Sequence, residues 1–240
     1  MRHQLRAVFF DLVGTLIHGR TSIGEQYAAH ARASGADPDV PRLDEAFRRA
    51  MAAAPRMEFP GRSLSDTTRL EREWWRTLVG RVVREAGLAG VLSGRVFDEY
   101  FDRLFDHFTT ANAWQTYADA AVSLASLREK GLLTGLITNY DTRVKAVLDA
   151  VGLSSLLDSV TIPAVAGSAK PSRGIFAHAL AAHGLDASSA VYVGDSLEED
   201  YRGALDAGLG ALLLDREGRH RDVPGIARIE SLVEIGGMLT

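Results

Sequence analysis

The chain contains no cysteine among its 240 residues. Disulfides, thiolate metal sites and thiol catalysis are therefore excluded. Lysine is scarce as well: Lys130, Lys145 and Lys170 are the only three, and the remaining basic residues are arginines. A net charge of −4 leaves no basic excess of the kind that binds nucleic acid or an anionic membrane. Long apolar runs are missing too. Residues 8–17 (VFFDLVGTLI) are too short to cross a bilayer, are broken by Asp11, and lack a small-residue cleavage site. The expectation is a cytoplasmic protein with neither a nucleic-acid nor a membrane partner. There is no internal repeat and no low-complexity tract. What remains is ordinary: 46% hydrophobic and 24% charged residues, enough for one domain with an insertion or for two modest domains.

Residues 5–10 (LRAVFF) form a short apolar run that ends at a carboxylate and predicts a buried strand. Helical periodicity follows over 23–34, 43–54, 65–86 and 96–108, and no strand is predicted between 19 and 110. After Trp114 the pattern alternates. Helices are predicted over 118–130, 142–151, 172–183 and 197–207, and strands over 132–138, 160–162, 190–193 and 211–214. That alternation predicts an α/β fold with a Rossmann-like parallel sheet. The core is then discontinuous, made of 1–16 and 112–240, and 17–111 is an inserted α-helical cap.

In such a sheet, ligands bind beyond the carboxyl ends of the strands. Three apolar strands end in polar groups: one at Asp11, one at Thr138 and Asn139, and one at Gly194 and Asp195. Lys170 precedes Pro171 and a helix start. Together these give two carboxylates, a hydroxyl, an amide and an ammonium, a set suited to Mg²⁺ and a phosphate.

The order of these pieces resembles the haloacid dehalogenase superfamily. Its four motifs are matched by DLVGT (11–15), LITN (136–139), AKP (169–171) and GDSLEED (194–200). The helical insertion between the first two motifs is similar to the cap of subfamily I. LEREWW, TNYDTR and VGDSLEEDYRGALDAG further resemble the group named after the rhythmically expressed gene 2 protein.

The resemblance implies a Mg²⁺-dependent hydrolase of a small phosphorylated metabolite. Asp11 would be the nucleophile and would form an aspartyl-phosphate. Asp195 would be the second metal carboxylate and the Val13 backbone carbonyl a third ligand. Asp200, at the relatives' spacing, is preferred to Glu199 for a supporting or water-mediated metal role. Thr138 and Asn139 would bind phosphate and Lys170 would neutralise charge.

Position 13 departs from the pattern. Phosphatases of the superfamily carry there a second Asp that protonates the leaving group and later activates water; Val13 does neither. General acid–base help is typically worth a factor of about 10²–10⁴. One reading is a slow or specialised phosphatase in which His18 or Asp141 binds substrate and supplies the proton, although Asp141 could equally cap the next helix. A dehalogenase or phosphonatase would also lack that Asp. Asp195 argues against the first, and a cap without lysine argues against the second. The remaining alternative is a non-catalytic phospho-ligand-binding or interaction protein that keeps the pocket. In the cap, one of Trp74 and Trp75 is expected to pack inside and the other to face the cleft. Phe59-Pro60-Gly61 could approach the site, and Phe97, Phe101 and Phe108 are expected to be cap packing.

Overall fold

A computed structural model describes residues 4–238. The chain runs β1 (Ala7–Phe10), β2 (Ile17–Gly19), α1 (Ile23–Arg32), α2 (Val40–Ala52), α3 (Leu64–Glu85) and α4 (Gly94–His107). It continues through β3 (Trp114–Thr116), α5 (Ala120–Glu129), β4 (Leu133–Ile137), α6 (Val144–Val151), β5 (Ser159–Thr161), α7 (Pro163–Ala166) and α8 (Arg173–Ala181). β6 (Ala190–Gly194), a π-helical turn (Leu197–Arg202), α9 (Gly203–Asp206), β7 (Gly210–Leu214), β8 (Arg228–Ile229) and α10 (Ile235–Met238) complete it.

Six strands form one parallel sheet in the order β5-β4-β1-β6-β7-β8. β1 is central and wholly buried, which explains four apolar residues in succession, Ala7 to Phe10, before Asp11. Its side chains alternate between two cores. Val8 and Phe10 pack on the face covered by α5 and α6, and Ala7 and Phe9 on the face that includes Ile175 and Phe176 of α8. Phe10 stands opposite Leu136 of β4 and Val193 of β6. That register carries Asp11, Thr138 and Asp195 to the same edge. From β1 the chain proceeds outward to β4 and β5, then crosses back to β6 on the other side of β1, so this edge holds the topological switch point of the sheet.

Helices α1 to α4 bury a separate apolar cluster, with Tyr27, Leu43, Val82, Tyr100 and Leu104 at its centre. Three of them carry side-chain N-caps: Ser22, Asp39 and Ser63 each accept a backbone N–H of the following turn. The short elements α7, β8 and α10 were not expected, and two further features differ from expectation. β2 and β3 pair antiparallel where the chain leaves and re-enters the sheet domain; three residues per strand give too short an alternation to register as a pattern. The helix expected over 197–207 begins as a π turn, because Asp200 and Tyr201 both donate their backbone N–H to Ser196 O, each at 3.1 Å. No helix among the described residues is long and apolar enough to cross a membrane.

Phe9 is fully buried under the sheet. Phe9→Ala should cost about 3–5 kcal/mol in the stability extracted from urea unfolding, the usual result of emptying a core aromatic site.

Candidate active site

The three protons of the Lys170 ammonium are all used. Nζ donates to Asp11 Oδ1 at 2.6 Å, Asp200 Oδ1 at 2.5 Å and the Tyr192 hydroxyl at 2.8 Å. Lys170 is 2% exposed, so its charge is stable there only because two carboxylates face it; they hold its pKa above the ordinary lysine value despite burial. Tyr192 passes its own proton to Ile137 O at 2.6 Å, tying the ammonium to the end of β4.

Each partner reaches this point for a local reason. The π turn directs Asp200 inward, where its second oxygen accepts Ser196 N–H at 2.9 Å. Gly194 allows this, since a Cβ there would collide with the Asp200 carboxylate. Gly14, at φ 93°, turns the chain after Asp11, and a Cβ on it would strike the Asp195 carboxylate. Asn139 clamps the segment carrying the lysine. Its Oδ1 accepts Lys170 N–H at 2.8 Å, while Nδ2 donates to Lys170 O and to Glu199 Oε2, both at 3.1 Å.

Asp11, Asp195 and Asp200 each offer a carboxylate oxygen within 4.8 Å of the others. One ammonium faces three carboxylates, so the cluster is short of positive charge. Burial foremost, against the pull of Lys170, lifts Asp11 to about 6. Asp195 opens onto the cleft but is still ringed by protein. Desolvation, then the Asp11 and Asp200 carboxylates, push it up to about 7. An oxygen-rich, charge-deficient set of this kind fits a hard divalent cation held by Asp11 and Asp195, with Asp200 behind them on Lys170.

The other sequence-predicted residues divide. Thr138 lines the cleft and accepts Tyr140 N–H at 3.3 Å, which leaves its hydroxyl proton to give. Val13 lines the cleft and is 39% exposed. His18 also lines it, bonded through Nδ1 to Gly19 O and packed on Tyr117. The Asn139 amide is spent on Lys170 and Glu199, so it acts on the lysine segment and not as the free donor expected. Asp141 is a correction. It is buried and outside the cleft lining. One oxygen accepts Arg143 N–H and Nε at 2.9 Å, and the other accepts Arg143 Nη2 at 2.5 Å and Trp75 Nε1 at 2.6 Å. With four donors on it, it has no role as a mobile proton source.

Trp75 faces the cleft, whereas Trp74 is turned to Pro55 O. Phe97 packs within the helical insertion, but Phe101 and Phe108 also line the cleft, against expectation. Phe59, Pro60 and Gly61 do not line it. The residue before them, Glu58, reaches the core instead and accepts Ala169 N–H at 2.8 Å. Tyr192 and Arg143 were missed in the sequence. A buried tyrosine two residues before the Gly194 strand end was a usable signal, because its hydroxyl needs a partner.

A parallel α/β fold with an ammonium-braced carboxylate at its switch point defines the class: a protein arranged for chemistry on a small molecule in a cleft. The chain belongs to the haloacid dehalogenase-like hydrolase family, whose model matches residues 5–208. It is 32% identical over 213 residues to haloacid dehalogenase-like hydrolase domain-containing protein 3 of Mus musculus, covering 89% of this chain and 83% of that one. It is 26% identical to the rhythmically expressed gene 2 protein of Drosophila melanogaster, covering 88% and 83%. Its fold is similar to that of a phosphatase of the family from Thermococcus onnurineus (TM-score 0.67, 22% identity) and to that of a 2-haloacid dehalogenase from Pseudomonas syringae pv. tomato DC3000 (TM-score 0.66, 22% identity). Each covers 98% of both chains.

An acid held above its unfolded-state value keeps a proton that the unfolded chain releases, so ionising it weakens the fold. For Asp11 and Asp195 that penalty is absent near pH 3.8 and complete above about 7. With a chelator present, thermal unfolding between pH 5 and 8 should show stability falling as pH rises. Asp195→Asn should flatten the fall.

Proposed function

We propose that this chain is a Mg²⁺-dependent phosphomonoester hydrolase that works through Asp11 and lacks an internal general acid. The observation that carries the reading is Asp195 beside Asp11. Two carboxylates raised by burial beside a single ammonium, with the Asp11 charge pushing Asp195 up further, suit a site completed by a cation and a phosphoryl group. A haloalkanoate dehalogenation would need no such charge. Asp11, Asp195 and the Val13 carbonyl would hold Mg²⁺, which when bound supplies positive charge to phosphate oxygens.

The chain's own residues then divide the work. Lys170 takes Asp11 Oδ1, which orients the carboxylate and leaves Oδ2 to attack phosphorus. As the Oδ2–P bond forms, the P–O ester bond breaks and the leaving oxygen departs with the electron pair. Thr138 donates to a phosphoryl oxygen. Water then attacks phosphorus, inorganic phosphate leaves, a proton passes to solvent and Asp11 is regenerated. Val13 gives no proton to the leaving oxygen in the first step and takes none from water in the second.

Phosphate release from a panel of aryl and alkyl phosphates, with and without Mg²⁺, tests the reading, with halide release from 2-haloacids assayed in parallel. Mg²⁺-dependent phosphate release supports it, and halide release alone would replace it. Asp11→Asn should abolish turnover while the chain stays folded by circular dichroism, because the amide Oδ1 still accepts the Lys170 proton. Lys170→Ala should cut kcat by at least about a hundredfold. Mg²⁺ should raise the thermal midpoint more at pH 8 than at pH 5, because it competes with protons on Asp11 and Asp195.

Position 13 is exposed, so Val13→Asp should fold. With Mg²⁺ it should raise alkyl phosphate turnover by at least about tenfold, with less gain on phosphates of acidic phenols, which need no proton to leave. An unchanged alkyl rate would mean that another group, His18 first, already supplies the proton, and His18→Ala is then the variant to assay.

A further inference from the structure

We propose that the group esterified to phosphate in the substrate of this protein is a large, apolar, aromatic alcohol held in the cavity under the helical insertion; this rests on the phosphomonoester reading above. The cavity of about 560 Å³ runs from Asp11, Lys170 and Asp195 into the space between α1, α2, α3 and α4. That is ample for a ligand of two or more fused or linked rings.

The wall supplied by the insertion is mostly apolar, the Tyr27 hydroxyl and the His18 imidazole being its polar groups inside the rim. Tyr27, Phe47, Met51, Val79, Phe101 and Leu104 form much of it, and no Arg, Lys, Asp or Glu of the insertion is among the described lining residues. Those charges are engaged elsewhere, as in the Arg72–Asp102 and Arg76–Asp98 pairs between α3 and α4. The core contributes one guanidinium, Arg143, but Asp141 takes its Nε and Nη2 and Phe105 O takes Nη1 at 2.8 Å. Its guanidinium carbon lies 3.7 Å from the centre of the Phe105 ring. Trp75 likewise gives its N–H to Asp141. Thr21 and Ser22, which could bond a hydroxyl, sit on the exposed rim, and Ser22 already donates to Asp44.

A sugar or polyol phosphate carries several hydroxyls into such a cavity, more than the Tyr27 hydroxyl and His18 can pair, so most would lose water without gaining a partner. An aromatic group loses nothing and gains edge and offset contacts with the rings of Phe101, Phe105 and Trp75. Position 13 points independently to the same class. A phenolic oxygen leaves without the proton that Val13 withholds, whereas an aliphatic alcohol does not.

The test compares 4-biphenylyl phosphate, phenyl phosphate and glucose 6-phosphate with the full chain and Mg²⁺. The two phenols are of similar acidity, so their ratio reads the cavity and not the leaving group. The expected kcat/KM is at least about tenfold higher for the biphenylyl ester than for the phenyl ester, with glucose 6-phosphate below both. Met51 is 39% exposed at the cavity, so Met51→Asp should fold. It should pull the biphenylyl-to-phenyl ratio below about threefold, while Met51→Leu keeps it. A ratio near one, or a preference for glucose 6-phosphate, overturns the proposal. If no phosphate ester is turned over at all, the phosphomonoester reading falls and calorimetry on Asp11→Asn decides the cavity separately. Biphenylyl phosphate binding at least about tenfold tighter than phenyl phosphate, with a negative heat-capacity change, supports it; equal or undetectable binding overturns it.

Discussion

With three protons and three acceptors, the buried Lys170 ammonium is the interaction around which the site is arranged. It draws together parts of the chain that are remote in sequence: the end of β1 through Asp11, the end of β4 through Tyr192 and Ile137, and the turn after β6 through Asp200. Taking such a charge out of water is expensive, and only complete pairing makes it tolerable. The arrangement therefore has little freedom. The sheet register brings the backbone into place, and the ion triad fixes the side chains. One carboxylate oxygen, Asp11 Oδ2, is left uncommitted at the point where a substrate would arrive.

The helical insertion closes over this point through polar contacts made at its edge. Glu71 accepts both the backbone N–H and the hydroxyl of Thr142, at 3.1 and 2.6 Å. Trp75 holds Asp141, and Glu58 holds Ala169 next to the lysine. Burial raises the Glu71 pKa above the usual carboxylate range, against its two bonds to Thr142. The contacts join the insertion to the segments that follow β4 and precede Lys170, so cleft shape and lysine position are mechanically linked. The enclosed apolar wall lowers the local dielectric, which strengthens the electrostatics of the ion triad.

Most of this was legible in the sequence because strong signals agreed. Continuous apolar strands ending in single polar residues located the sheet edge, and Asp11, Thr138, Lys170 and Asp195 do converge there. Periodicity located the four inserted helices. The rest depended on geometry that no spacing encodes. Asp141 was open to two readings, a cap or a proton source, until Arg143 and Trp75 were seen to saturate it. The π turn at Leu197–Arg202 reads as ordinary helix, since only backbone bonds that reach five residues back, such as Tyr201 N–H to Ser196 O and Gly203 N–H to Glu198 O, distinguish them. The β2–β3 ribbon was too short to show an alternation. Phe101 and Phe108 sit at helical spacing, which identifies the face they share but not that a cavity borders it.

The central claim is that Asp11 becomes covalently phosphorylated and that, without a base at position 13, the second step is slow. The most direct measurement is intact-protein and peptide mass spectrometry of the chain, acid-quenched within milliseconds to seconds of mixing with Mg²⁺ and an aryl phosphate. The account predicts a stoichiometric increase of one phosphoryl group that maps to the peptide containing Asp11, appears before steady-state phosphate release, and is lost when Mg²⁺ is withheld. Phosphate release at ordinary rates with no phosphoryl group on Asp11 at any quench time, or an adduct on a different residue, would contradict it.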